Sequence, residues 1–319
     1  MKSKSQNSLA IVTPVLNDWV SLGRLADAFA SMSLDIPCVD LVVVDDGSAV
    51  ELPLHIVVRL RKVGDVHVLR LARTVGHQRA IAFGLRYITD TFEADRVLVM
   101  DADGEDPPEA LPFLLEKADS NPDSIIVACR GRRVERTAFR VGYRFYRAAF
   151  RALVGLRLNF GNFVLLPSAA ARRIATEESV WLSFAATVAR SQIPKSEVLV
   201  NRAPRFDGES RMNQYGLVTH GLGAMAVFAD RIFIRVVAVS VSLLAISFAT
   251  LVAVLYARLW TSAAIPGWAT TAAGLSLLFA GQVLATSLLT MFVMLQQRLN
   301  MLPIIARFAD SDILTVRKL

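Results

Sequence analysis

Asp101-Ala102-Asp103-Gly104-Glu105-Asp106-Pro107-Pro108 follows the apolar run Val97 to Met100, so a cluster of carboxylates stands where a strand would end. Oxygen-only ligands on a short glycine-containing turn suit Mg2+ or Mn2+, hard ions that bridge the oxygens of a substrate diphosphate. Taken alone, the segment fits equally well a solvated acidic turn whose Asp106 or Pro107 opens a helix. Two other strand-like runs also end in polar residues: Leu9 to Val12 runs into Thr13-Pro14-Val15-Leu16-Asn17-Asp18, and Val39 to Val44 into Asp45-Asp46-Gly47-Ser48. Asp45 or Asp46 can accept hydrogen bonds from ribose hydroxyls or a base N–H, and Gly47 permits a tight turn. Any one such end is an ordinary turn; three together point to a common crevice.

The elements that must position these ends are legible as alternating patterns. Leu9 to Val12, Val39 to Val44, His67 to Leu71, Val97 to Met100 and Ser124 to Ala128 read as strands, several continuous enough to be buried on both faces. Val20 to Ser31, Gly76 to Thr89 and Pro108 to Ala118 have helical spacing between them. This is the alternation of an α/β sheet wound on both sides, in which ligands bind outside the carboxyl ends of the strands. The 319 residues suffice for one sizeable domain of this kind and something smaller.

The remainder is apolar. Hydrophobic residues make up 54% of the chain, and the excess lies near its C-terminal end. No charge interrupts residues 236–257 or 259–297, which predicts two membrane-spanning helices, about 235–257 and 268–296, joined by a short loop. Arg231 and Arg235 precede the first span and Arg298, Arg307, Arg317 and Lys318 follow the second, with Arg258 alone between them. That distribution predicts both termini on the cytoplasmic side, with Trp260 and Trp268 in the far interfacial belt. No cleavable signal is expected in MKSKSQNSLAIVTPV. Cys38 and Cys129 read as buried free thiols of a reducing compartment. The net charge of +7 suits anionic lipid or phosphate ligands. Nucleic acid is a poor match, because no surface interleaves aromatic with basic residues.

Taken in order, TPVLND, VVVDDGS, LRLARTVGHQRAIAFGL, VLVMDADGEDPP, RFYR at 144–147, GNF at 161–163 and RFDGESR at 205–211, followed by two apolar spans, resemble the inverting family 2 glycosyltransferases, specifically the polyprenyl-phosphate glycosyltransferases such as bactoprenol glucosyltransferase and dolichol-phosphate mannose synthase. The resemblance implies a GT-A nucleotide-sugar-binding (Rossmann-like) domain over 1–212, an interfacial segment over 213–231, two transmembrane helices within 232–297 and a cytoplasmic tail over 298–319 in the inner membrane. It implies that Asp101 and Asp103, with Glu105, bind the metal and the donor diphosphate beside Ala102. Pro14, Asp18, Asp45 and Asp46 would line the nucleoside pocket, with Gly76 to Arg79 passing close to it. The Arg205 to Arg211 segment, with Ser210, would lie over the site next to the acceptor phosphate.

Three positions depart from the family pattern. Leu16 replaces a tyrosine of the first turn, Thr74 stands where an asparagine is usual, and Asn162 occupies the place of an aspartate proposed as catalytic base. An amide cannot accept a proton as a base. A phosphate monoester acceptor, with a second pKa near ~6, is already mostly dianionic and needs alignment more than deprotonation. Asn162 is thus compatible with undecaprenyl phosphate or another polyprenyl phosphate as acceptor, and also with a weakened enzyme serving as a membrane-bound scaffold or sensor, or with a different acceptor. Arg130, Arg147, Arg205 and Arg211 are candidates to hold that phosphate through guanidinium forks. His77 and His220 read as structural, since no histidine pair has metal-ligand spacing. UDP-sugar is the favoured donor by resemblance, and self-association through Gly274 and Gly281 is left open.

Overall fold

A computed structural model of the chain describes residues 8–32, 38–130, 148, 150–156, 158–208, 214–260, 267–308 and 312–319. The strands are β1 (Ser8–Val15), β2 (Cys38–Asp45), β3 (Asp65–Leu71), β4 (Arg96–Val99), β5 (Ile125–Arg130), β6 (Phe160–Pro167), β7 (Lys195–Val200) and β8 (Ile313–Lys318). The helices are α1 (Trp19–Ser31), α2 (Leu54–Leu60), α3 (His77–Thr91), α4 (Leu111–Ser120), α5 (Ser168–Ala175), α6 (Phe184–Arg190), α7 (Gln214–Ala226), α8 (Ala229–Trp260) and α9 (Trp268–Phe308). The sequence-predicted strands and helices of the first 130 residues are all present.

Eight strands form one mixed sheet in the order β7-β5-β6-β4-β1-β2-β3-β8. Strands β4, β1, β2 and β3 run parallel, while β6 lies antiparallel between β4 and β5 and β8 runs antiparallel to β3. Alternation along β1 explains its continuous apolar run. Leu9 and Ile11 join α1, α2 and α4 on one face, and Ala10 and Val12 join α3, α5 and α6 on the other. Each fully buried Leu or Ile stabilises this arrangement by about 1.5–3 kcal/mol. Pro14 is tolerated in a central strand because it lies beyond the last β1–β4 pair, Val12 with Val99, where no ladder donor toward β4 is required. Gly84 lets α3 approach closely: a Cβ there would stand 2.6 Å from Val12 and 2.8 Å from Val44.

The chain divides into two compact units, one comprising 1–145, 157–227 and 305–319, the other 146–156 and 228–304. Two expected boundaries shift. The segment 298–319, read from sequence as a tail, continues α9 to Phe308 and then supplies β8 to the sheet. The segment 213–231, read as one interfacial element, is divided between α7, in the first unit, and the start of α8, in the second. β8 and β7 are edge strands, none of whose residues is fully buried, and they lack the apolar run that marks a central strand.

In the second unit α8 (Ala229–Trp260) and the Trp268–Val293 part of α9 are both long and apolar enough to cross a membrane, and almost none of their side chains are buried. Val239, Ile246, Phe248, Leu277, Leu278 and Phe292 are exposed. A core helix of a soluble protein would bury such residues, and among the described residues nothing covers these. Ser287 donates a hydrogen bond to the Ser240 hydroxyl at 2.8 Å, joining the two helices through small polar groups.

Candidate active site

The polar ends of β1, β2 and β4 are adjacent because those strands are neighbours in the sheet. The first two are stitched together by backbone groups. Asp46 N–H donates to Val15 O at 2.9 Å, Asn17 N–H to Ser48 Oγ at 2.8 Å, and Ala49 N–H to Asn17 Oδ1 at 2.8 Å. Asp18 caps α1 by accepting from Ser21 N–H at 3.3 Å. Asp45 and Asp46 are each only 3% exposed. Asp45 accepts from Ser48 N–H at 2.8 Å and lies 3.8 Å from Arg70 Nε. Asp46 accepts from Val75 N–H at 2.7 Å and from Gly76 N–H at 3.0 Å, and so closes the turn that opens α3. Gly76 there has φ +99°, in the region that favours glycine. Burial raises the pKa of Asp46 above the ordinary carboxylate value, against the opposing pull of the Val75 and Gly76 amides.

The end of β4 is held differently. Asp101 Oδ1 meets two groups from distant segments: it accepts from Asn162 Nδ2 at 3.3 Å and lies 3.1 Å from His77 Nε2, which is itself 3.0 Å from the same Asn162 Nδ2. Asn162 arrives by register: β6 pairs Val164 with Val99, and two further steps along the antiparallel ladder set residue 162 opposite 101. Its amide orientation follows from its neighbour. Gln78 Oε1 accepts from Phe184 N–H at 2.7 Å, which leaves the Gln78 NH2 to donate to Asn162 Oδ1 at 3.3 Å and turns the Asn162 NH2 toward Asp101. Burial works against charge on His77, but Asp101 at hydrogen-bond distance, with Asp103 and Asp46 beyond it, prevails and raises its pKa.

Asp103 Oδ1 accepts from Glu105 N–H at 3.0 Å, and its other oxygen lies 3.3 Å from Arg205 NH1. Arg205 also lies 3.9 Å from Asp18, so one guanidinium spans the ends of β1 and β4; its Nε is buried with no hydrogen-bond partner among the described residues. The Arg205 backbone is fixed by two bonds to the acidic turn, Ala203 N–H to Glu105 O at 3.2 Å and Phe206 N–H to Asp103 O at 2.8 Å. Gly104 is required twice over: its φ is +86°, and a Cβ would stand 2.6 Å from the Phe206 ring. Glu105 pairs with Arg202. Asp106 accepts from Asp101 N–H at 3.2 Å, and burial followed by the charge of Asp101 pushes its pKa up to about 7.

Among the described residues no three His, Cys, Asp or Glu side chains are grouped to hold a metal ion by themselves. The donor set still fits Mg2+ or Mn2+, since Asp101 and Asp103 offer hard oxygens on one turn and such ions take one or two carboxylates and complete their shell with substrate phosphates. Glu105 faces Arg202 instead.

The structure therefore brings together Asp18, Asp101, Asp103, Asn162 and Arg205, and sets Asp45, Asp46 and Gly76 at the adjoining strand end. Ala102 is buried beneath the acidic turn, and Arg79 is exposed on the first turn of α3. Arg147, Ser210 and Arg211 lie outside the described residues, as does the side chain of Arg130 at the end of β5. Sequence reasoning read His77 as structural, included Gln78 and Phe206 only within the Gly76 to Arg79 and Arg205 to Arg211 segments without a role for either, and passed over Arg202. The one available signal was the glycine before His77, which marks a helix N-terminus aimed at the crevice.

The model of the Glycosyl transferase family 2 matches residues 10–179. The chain is 22% identical over 227 residues to the uncharacterized glycosyltransferase sll0501 of Synechocystis sp., covering 69% of each chain. Its fold is shared with glucosyl-3-phosphoglycerate synthase of Mycobacterium tuberculosis, crystallised with Mn2+, uridine diphosphate and glucosyl-3-phosphoglycerate. That match has a TM-score of 0.51 at 14% identity and covers 72% of this chain and 81% of that one. S. aureus TarS 1–349 overlaps 60% of this chain and 58% of its own length, with a TM-score of 0.42 and 17% identity.

Proposed function

From the premise that this chain belongs to glycosyl transferase family 2 and uses a nucleotide sugar, we propose that it transfers a hexose-type sugar, from a UDP-sugar by preference, to a polyprenyl phosphate at the cytoplasmic face of the inner membrane. One observation carries the choice of acceptor: the chain that bears the carboxylate site continues into two long apolar helices whose described side chains are left almost entirely unburied. A lipid-phosphate acceptor gives them a use, because its phosphate must be reached at the bilayer surface. β8 follows those helices yet belongs to the sheet that precedes them, a connectivity that supports a pair of spans entering and leaving on the same side of the membrane, as the basic residues suggest.

The site chemistry supports the same reading. An oxygen of the acceptor phosphate attacks the anomeric carbon as the bond from that carbon to the donor diphosphate breaks, with inversion. The dianionic acceptor brings its own electron pair, so no proton has to be removed and an amide at Asn162 suffices. Asn162 holds Asp101 by donating to it, with His77 Nε2 in contact with both, while Arg205 holds Asp103 and stands ready to meet phosphate oxygens. Asp101 and Asp103 would hold the divalent ion, which when bound neutralises charge gathering on the departing nucleoside diphosphate.

The test is transfer of labelled sugar from a panel of UDP- and GDP-sugars to undecaprenyl phosphate by purified protein with Mg2+ or Mn2+. A product extracted into organic solvent that disappears in Asp103→Ala is the expected result. Donor binding without transfer to any lipid phosphate would reject this acceptor and favour the scaffold or sensor role.

A further inference from the structure

Five residue pairs join β8 to β3, from His67 with Lys318 to Leu71 with Ile313. Pairing does not stop where the strands do. Ala72 N–H donates to Asp312 O at 2.8 Å, and the Asp312 carboxylate, on a residue 9% exposed, lies 3.4 Å from Arg73 Nε. The next residues press on the end of β2: a Cβ at Gly47 would stand 2.8 Å from both the Arg73 carbonyl carbon and the Thr74 nitrogen. Val75 and Gly76 then donate to Asp46. One continuous run of contacts therefore leads from Asp312 through 72–76 to the buried carboxylate at the β2 end.

We propose that β8 braces the donor pocket: Asp312 is a positioning residue that fixes the 72–76 turn against Gly47 and Asp46, so that nucleotide binding depends on a strand the chain reaches only after both apolar helices. The inference rests on the reading of the β2 end as the nucleoside side of the site. Without β8, β3 becomes the sheet edge, with unpaired backbone groups and the packing of Ile313 lost. The 72–76 turn would keep Asp46 as its remaining anchor, and its ordering would fall to the ligand. A binding surface that must be ordered by its ligand binds more weakly by the fraction of time it is formed. Sequence order adds a consequence: a chain that has not returned from the hairpin lacks a finished donor pocket, which ties donor use to completion of the membrane helices.

The experiment uses the full chain in detergent and reads two quantities, calorimetric binding of UDP with Mn2+ and hydrogen exchange at Val75 and Gly76. Asp312→Ala should weaken UDP about fivefold, the effect of roughly one hydrogen bond, speed exchange at both amides, and raise donor KM while leaving acceptor KM unchanged. Asp312→Asn keeps a side-chain acceptor for Arg73 and should stay near wild type. Lys318→Ala removes the 2.8 Å ion pair with Asp65 at the far end of the same strand, away from the turn, and should change neither readout. A chain ended before residue 312 should lose more affinity than Asp312→Ala; if it fails to fold, the point variants decide. UDP affinity and exchange unaltered in Asp312→Ala, or a loss in Lys318→Ala as large as in Asp312→Ala, would overturn the brace. Wild type that binds neither UDP nor GDP would sink the donor reading instead, and exchange at Val75 and Gly76 would still decide the brace.

Discussion

The ends of β2 and β4 each carry a pair of carboxylates, and the protein holds the two pairs in opposite ways. Asp45 and Asp46 are 3% exposed and satisfied chiefly by backbone N–H groups of Ser48, Val75 and Gly76. The Asp101 and Asp103 side chains are 24% and 18% exposed and satisfied largely by side chains, His77, Asn162 and Arg205. Backbone donors cannot leave without unmaking the turn, whereas side chains can turn aside for a ligand. The β2 end is thus a finished surface, ordered before anything binds. The β4 end is a set of charges compensated for the time being, and the groups that compensate them are the ones a metal–diphosphate complex would engage.

Removing one carboxylate from each end should break the comparison if it is wrong. Asp103→Ala takes away a candidate metal ligand and the partner of Arg205 and should lower kcat by about a thousandfold, with the fold intact, because its neighbours can repack toward solvent. Asp46→Asn keeps the shape but puts an NH2 where an oxygen now faces the Val75 or Gly76 amide. It should raise donor KM about tenfold, lower the melting temperature and leave kcat nearly unchanged. Steady-state kinetics with both substrates varied separates the two patterns. A kcat defect in Asp46→Asn as deep as that of Asp103→Ala would mean that the two ends do one job.

Asn162 sharpens the contrast on the β4 side. Its NH2 is turned toward Asp101 by Gln78, so the amide acts there as a donor. Asn162→Asp would set a second carboxylate about where the first now receives a hydrogen bond, and two such groups in contact cannot both stay ionised without cost. Transfer to polyprenyl phosphate should fall, by about tenfold, despite restoration of the residue expected from the family pattern. A variant faster than wild type would show that the site still wants a base at 162 and that the amide polarity set by Gln78 is incidental.

How much of this was legible beforehand follows the same division. Asp45-Asp46-Gly47 and Asp101-Ala102-Asp103-Gly104 stood out because each ends an apolar run, and a strand buried on both faces writes itself into contiguous residues. The family resemblance pointed to Asn162 and Arg205, but that they hold the β4 carboxylates together with His77 and Gln78 did not stand out, because these side chains come to them through the crossover of α3, the antiparallel return of β6 and the loop after β7. Nothing local in ILTVRK distinguishes an edge strand from a tail, and its pairing with β3 across the whole apolar hairpin is a long-range fact. His77 was discounted for want of a second histidine, although its chemistry comes from a carboxylate on another strand.

The smallest expected effect tests the rigidity of the β2 side through its buried histidine. His67 on β3 is 8% exposed, donates to or accepts from Tyr87 on α3 at 3.0 Å, and its Nε2 has no partner among the described residues. Burial lowers its pKa, helped by Lys318 on β8 and opposed by Asp40 on β2 and Asp65 on β3. With the folded pKa below the unfolded one, the unfolded chain takes up the proton first as pH falls. Stability is therefore full above the unfolded value near ~6.5 and is lost as pH drops below it toward the folded value. Thermal unfolding at pH 7.5 and 5.5 should show a small decrease for wild type and a smaller one for His67→Phe, which keeps the edge-on contact with Phe92 and removes the titration. If the decrease is unchanged in His67→Phe, acid acts elsewhere, and the compensated charges of the β4 end become the next place to look.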